Sequence, residues 1–109
     1  MDNQHKHIKG YRDLSQAEII LMNEIKQKGN ELLQLQATLA GYLDTQRETL
    51  TIAAKASTTH TPWEQGGSDE CIELRRFLAA EPQRWAAIGK TDIQTGIMAL
   101  VRAVAQPSI

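Results

Sequence analysis

The sequence predicts an all-α protein: an antiparallel helical hairpin with a short extra helix, assembling into a helical homo-oligomer. Three observations carry that expectation. Leu21, Ile25, Lys28, Leu32, Leu35, Leu39 and Tyr42 recur at alternating spacings of four and three, a heptad seam interrupted once by Lys28. A second helical pattern occupies residues 82–105, with Trp85, Ile88, Ile93, Ile97, Leu100, Val101 and Val104 as its apolar face. Nowhere do Val, Thr and Ile alternate with polar residues long enough to make a strand. At 109 residues the chain is expected to form a single helical domain.

Residues 1–14 form a basic N-terminal arm ahead of the first long helix, predicted over 15–55. Ser15-Gln16-Ala17-Glu18 is a capping box: the hydroxyl accepts from an orphan amide while the carboxylate reaches back. Gly29 weakens this helix by roughly 1 kcal/mol relative to alanine and is read as a bend. Gly41 is read as an interruption, with Leu43 and Leu50 continuing the helix beyond it. Residues 57–68 (STTHTPWEQGGS) are a loop by composition. A short helix is expected over 69–80, with Ile72, Leu74, Phe77 and Leu78 as its apolar residues. Pro82 suits the first position of the last helix, which runs to 105 and stops at Pro107. Gly96, Ala99 and Ala103 form a row of small residues, suited to packing against the first helix or to a tight contact between subunits. Two long helices joined in this way leave much apolar surface uncovered, and oligomerisation is the expected remedy.

Composition narrows the function. Hydrophobic residues make up 41% and charged residues 23%, a globular mixture, and the net charge of −1 argues against coating DNA. No apolar run reaches the roughly 18 residues of a membrane span, and the first residues carry no apolar stretch of the kind a signal peptide has. A single cysteine, Cys71, makes no internal disulfide and fits a reducing cytosol. There is no phosphate loop, dinucleotide fingerprint or nucleophile elbow. Cys71 lies between Glu70 and Glu73, which blunt a thiol. His5 and His7 lack a third metal ligand at fixed spacing, and His60 sits in the polar loop. Asp69, Glu70 and Glu73 can be drawn as an acid–base set, but acids at a helix start serve the helix dipole equally well. No enzyme, cofactor or metal site is expected.

The arm is more informative. Lys6, Lys9 and Arg12 place three positive charges around Gly10 and Tyr11 with no acid among them. Such a strip is either a solvated arm or a phosphate-facing surface. An aromatic ring beside cations is the combination that stacks a base and holds its phosphate, and Gly10 lets the backbone approach a ligand closely. Lys26, about three turns into the first helix and off the seam, adds a further cation. A two-fold dimer presents every group twice. Two tyrosines and two lysines would therefore match a ring-shaped ligand with two bases and two phosphates.

Two blocks make the chain resemble a known family. One is residues 7–15 (HIKGYRDLS) running into 19–26 (IILMNEIK). The other is residues 84–91 (RWAAIGKT) running into 94–104 (QTGIMALVRAV). Together they resemble the phage anti-CBASS cyclic-nucleotide sponges, and a similar helical hairpin occurs in the Thoeris anti-defence sponges. The resemblance implies a small helical protein, assembled as a hexamer, in the cytoplasm of an infected bacterium. There it would sequester host cyclic oligonucleotide signals such as cGAMP without cleaving them. It implies that Tyr11 and Lys26, with Gly10 and Arg12 beside them, hold a cyclic dinucleotide at a dimer interface. It also implies a separate trinucleotide site near the start of the last helix, with Lys90, Thr91 and Arg84 as candidates; Ala87 stands one turn before Thr91, where a basic residue would be wanted. A sponge for cyclic ADP-ribose-type signals and a structural or partner-binding helical oligomer are the alternatives. No DNA or membrane partner is implied.

Overall fold

The chain turns helical at the Ser15 cap. The Ser15 backbone N–H donates to Glu18 Oε1 at 2.9 Å and the Glu18 N–H donates to Ser15 Oγ at 3.2 Å, which are the two reciprocal bonds of a capping box. The computed structural model describes residues 12–108. It contains three helices, α1 (Gln16–Ala56), α2 (Asp69–Ala80) and α3 (Pro82–Ala105), and no strand among the described residues. None of these helices is long and apolar enough to cross a membrane. Helix α1 runs through Gly41 without a break, so the expected interruption does not occur. One exposed glycine costs only about 1 kcal/mol, too little to end a helix packed on both sides of it in sequence.

The chain divides into two compact units, one comprising Leu35–Gly89 and the other the residues up to Gln34 together with those from Lys90 onward. The first is built around buried side chains. Leu43, Phe77 and Ala86 form one cluster; Ala54, Cys71 and Leu74 form another; and Leu50 and Leu78 pack against both. Ser68 caps α2, its hydroxyl accepting from the Cys71 N–H at 3.1 Å, and Asp69 and Glu70 occupy the first turn, where their charge complements the helix dipole. Arg75 holds the loop of residues 57–68 by donating to the carbonyls of Trp63 and Gly66 at 2.9 and 2.7 Å. Gly66 has to be glycine, because a Cβ there would lie 2.6 Å from Cys71 Sγ. Helix α2 ends on Glu81, a left-handed residue with φ of 51°, and Pro82 starts α3 directly after it. On α2, Ile72 is half exposed rather than part of the core, and Cys71 takes the inward position instead.

In the second unit α1 and α3 meet at Gly29. A Cβ at this position would lie 2.3 Å from Ile97 Cδ1, so the isoleucine fills the space a side chain would take. Gly29 is therefore a seat for α3, and it interrupts nothing. The row of small residues on α3 does not make this contact: Ala99 and Ala103 are exposed, and a Cβ on Gly96 would meet nothing within 4 Å. Helix α3 stops at Gln106, which adopts φ of 51° and donates its N–H to Arg102 O at 2.8 Å, and Pro107 cannot extend the helix.

The phase of the seam also differs from expectation. Of its apolar members, Leu21, Leu32, Leu35, Leu39 and Tyr42 are each between 46% and 66% exposed. The less exposed side of α1 is displaced by one residue, through Met22, Ile25, Gly29 and Leu33 in one unit and Gln36, Ala40, Leu43, Leu50 and Ala54 in the other. One residue is 100° of helix, enough to turn the large side chains outward. The inner side mixes large residues such as Met22, Ile25, Leu33 and Leu43 with the small Gly29, Ala40 and Ala54, and Gln36 belongs there because its amide donates to Ala86 O at 3.0 Å.

Candidate ligand-binding site

Lys26 lies on the exposed side of α1, one residue past the half-buried Ile25. Its neighbours one helical turn away are Asn23 and Asn30, both exposed and both neutral. The contrast is Lys28, whose ammonium stands 3.7 Å from Glu31 in an i,i+3 pair. Lys26 therefore presents a positive charge with hydrogen-bonding amides on either side and no acid one turn away. A phosphate placed there would meet a cation that pays little to leave an existing partner.

Arg12 is used differently. Its Nε donates to Ala105 O at 3.0 Å and its Nη2 donates to Val104 O at 2.8 Å. Nη2 also pairs with Glu18 Oε2. The two carbonyls belong to the last turn of α3, where no amide of the helix remains to satisfy them. Glu18 thus does two jobs, closing the α1 cap through one oxygen and holding Arg12 through the other. The Arg12 hydrogen bond, helped by the Ser15 N–H, lowers the Glu18 pKa to about 2. Tyr11 and Gly10 lie outside the described residues, as does most of the basic arm.

The other candidates stand as follows. Lys90 and Thr91 are exposed on α3. Arg84 is 3.4 Å from Glu81 and lies over the Trp85 ring at 5.5 Å from its centroid, so its charge is shared with an acid and a π face. The acid–base reading of α2 dissolves, because Arg76 donates to Glu73 from Nε at 2.9 Å and from Nη2 at 2.5 Å, and that pairing lowers the Glu73 pKa. Cys71 is fully buried with its thiol donating to Ala54 O at 3.6 Å. Among the described residues no three His, Cys, Asp or Glu side chains are grouped to hold a metal, and His5 and His7 lie outside them.

An apolar groove of about 420 Å³ also lies within the unit that carries Lys26, lined by Leu21, Ile25, Leu32, Ile93, Ile97 and Leu100 among others. Its lining is mostly apolar and suits another apolar side chain, with Glu24 and Lys28 as its charged members. The sequence reading missed the Arg12–Glu18 link. The available signal was the placement of an arginine just ahead of a capping box, but the carbonyls that complete the clamp are more than 90 residues away.

These features belong to a known lineage. A protein of Pseudomonas phage JBD67 named Anti-CBASS protein 2 is 64% identical over 107 residues, covering 98% of this chain and 97% of the relative. The chain belongs to the anti-CBASS protein 2 family. The family model for the Acb2/Tad1 hairpin domain matches residues 68–105, which takes in α2 and α3. Within this member of the anti-CBASS protein 2 family, the matched hairpin excludes Arg12, Glu18 and Lys26, so the candidate dinucleotide residues lie in the part of the chain that precedes it. The similarity seen in the two sequence blocks is thereby family membership, spread over nearly the whole chain.

Proposed function

We propose that this protein counters CBASS immunity in the cytoplasm of an infected bacterium by binding cyclic oligonucleotide signals and withholding them, uncleaved, from the host. Cyclic dinucleotides such as cGAMP are the ligands the residues suit best. Each of two protomers contributes a Tyr11 ring to stack a base and a Lys26 ammonium to hold a phosphate. The observation that carries this reading is Lys26 itself, exposed, flanked by neutral amides and without an acid to leave, in a chain 64% identical to an Anti-CBASS protein 2. Assembly, with a hexamer as the expected form, is supported by the uncovered seam on α1 and by the apolar groove.

Magnitudes limit how the affinity is built. A sponge that outcompetes a host receptor needs a dissociation constant near nanomolar, roughly −12 kcal/mol. Two stacking contacts supply about 1–3 kcal/mol each and two charge-assisted phosphate contacts about 1.5–3 kcal/mol each. The remainder comes from a site already formed by the assembly, which spares the ordering cost at binding. Because symmetry deletes two contacts at once, Tyr11→Ala or Lys26→Ala should abolish cGAMP binding in calorimetry while the size of the assembly is unchanged. The ligand recovered after denaturing the complex should be intact by chromatography. Undiminished binding by both variants, or recovery of a cleaved product, refutes the reading. The same titration with cyclic trinucleotides and cyclic ADP-ribose isomers ranks the ligand classes.

A further inference from the structure

Asn23 and Asn30 both lie in the interior of α1, a helix of 41 residues. Asparagine is a poor helix former, because its side chain competes for backbone hydrogen bonds. It is favoured at caps and turns, where that competition helps. Neither position is a cap, both side chains are exposed, and among the described residues neither amide has a hydrogen-bond partner. By local propensity both asparagines weaken the helix, and no contact among the described residues offsets the loss. A local cost without an internal gain marks a side chain that serves something outside the chain.

The two amides bracket Lys26. Along α1, Asn23 lies about 4.5 Å before it and Asn30 about 6 Å beyond it, and both stand within about 60° of it around the axis. Helical side chains lean toward the N-terminus, so Lys26 covers the turn that carries Asn23, and Asn30 covers the turn that carries Lys26. A lysine is a point charge without a fork, so alone it neutralises a phosphodiester but does not orient it. An amide has two roles here: its carbonyl accepts from an ammonium, and its NH2 donates to an oxyanion. A glutamate in either place would instead occupy the lysine, as Glu31 does for Lys28 at 3.7 Å. We propose that Asn23 and Asn30 are phosphate-binding residues of the nucleotide site, their amide N–H groups donating to the phosphodiester oxygens whose charge Lys26 neutralises. This rests on the assignment of Lys26 to cyclic dinucleotide binding. It extends that assignment from one cation to a cradle on a single helix, with charge from the lysine and direction from the amides.

The experiment is a calorimetric titration of cGAMP and of cyclic di-AMP into the intact wild type, Asn23→Ala, Asn30→Ala and Lys26→Ala, with the thermal midpoint of each measured without ligand. Each asparagine variant should bind more weakly by about tenfold or more, the loss of a hydrogen bond to a charged acceptor. The loss should be equal for the two ligands, because they share the phosphates and differ in a base. Without ligand, both variants should melt above the wild type, since alanine is the better helix former. Asn23→Asp and Asn30→Asp, which place an acid one turn from Lys26, should weaken binding further than alanine does. Unaltered affinity in both alanine variants overturns the inference. A loss confined to one ligand overturns it by moving the contact to a base, and weaker binding together with a lower ligand-free midpoint overturns it by making the asparagines structural. In each of these cases, loss of binding by Lys26→Ala leaves the sponge reading standing. Undiminished binding by Lys26→Ala, or no binding by the wild type, removes the inference and the Lys26 assignment together.

Discussion

The buried apolar side chains of the two units differ sharply. Leu43, Ala54, Cys71, Leu74, Phe77 and Ala86 all lie between Leu35 and Gly89, and the unit formed by residues up to Gln34 and from Lys90 onward contains none of them. That second unit has a glycine seat for Ile97, an open apolar groove and a polar clamp on its helix ends. The first unit resembles a small conventional core, closed by a capped helix and a loop held by Arg75. Large apolar side chains stand exposed in both units, among them Leu35, Tyr42, Ile52 and Trp85 in the first and Ile20, Leu21, Met98 and Leu100 in the second; what sets the second apart, among the described residues, is the lack of a buried hydrophobic cluster. Buried apolar packing is thus concentrated in one unit, while the other carries Lys26 and the open groove.

The largest effect that tests this contrast comes from paired truncations. Leu74 is 1% exposed, and Leu74→Ala should lower the unfolding free energy by about 2–5 kcal/mol in urea at fixed protein concentration. Leu32, at 49% exposed, lines the groove, and if copies assemble through it as proposed, Leu32→Glu should leave the helical content intact while giving a smaller species in sedimentation. Equal unfolding penalties and unchanged sedimentation for both would mean that the two units do not divide the work in this way.

The seam explains how much of this was legible in the sequence. The helical period was plain from 21 to 42, as were the Ser15 cap and the Pro82 start, because each is local chemistry. The phase was not, because a reading by size assigns the largest apolar residues to the interior. Here Gly29, Ala40 and Ala54 share the inner side of α1 with Met22, Ile25, Leu33 and Leu43, and Gln36 is satisfied there by a carbonyl 50 residues away. The same limit applies to Arg12. As a letter it counts toward a basic strip, and only the fold reveals that α3 carbonyls more than 90 residues distant consume it. Lys26 could be singled out from its neighbours alone, since i±3 and i±4 positions are known without any tertiary contact.

Gly29→Ala sharpens the comparison at intermediate size. Helix propensity favours alanine by about 1 kcal/mol, whereas overpacking costs typically 1–3 kcal/mol. The new Cβ would sit 2.3 Å from Ile97 Cδ1 and 2.5 Å from its Cγ1, too close for a change of the terminal methyl alone to relieve. A net loss in thermal midpoint is expected, reversed in Gly29→Ala combined with Ile97→Ala. A gain from Gly29→Ala alone would mean that the seat is loose and that the helices are not held at this point.

The smallest effect concerns acid. Glu18 has a folded-state pKa near 2, depressed from 4.5 first by its bond to Arg12 and then by the Ser15 N–H. A depressed carboxylate contributes stability that is whole above its unfolded pKa and disappears as pH falls through the folded one. The advantage of the wild type over Glu18→Gln should therefore be constant above pH 4.5, shrink between 4.5 and 2, and vanish below about 2. The pair is partly exposed, so the advantage is small. Glu73 is depressed as well, but it titrates alike in both proteins and cancels in the difference. Because a polar clamp replaces a core in the unit that contains Glu18, amide exchange at the ends of α1 and α3 should rise in acid before exchange around Leu74 and Phe77 does. Simultaneous loss of protection in both places would mean that the clamp contributes nothing local, and that the two units open together.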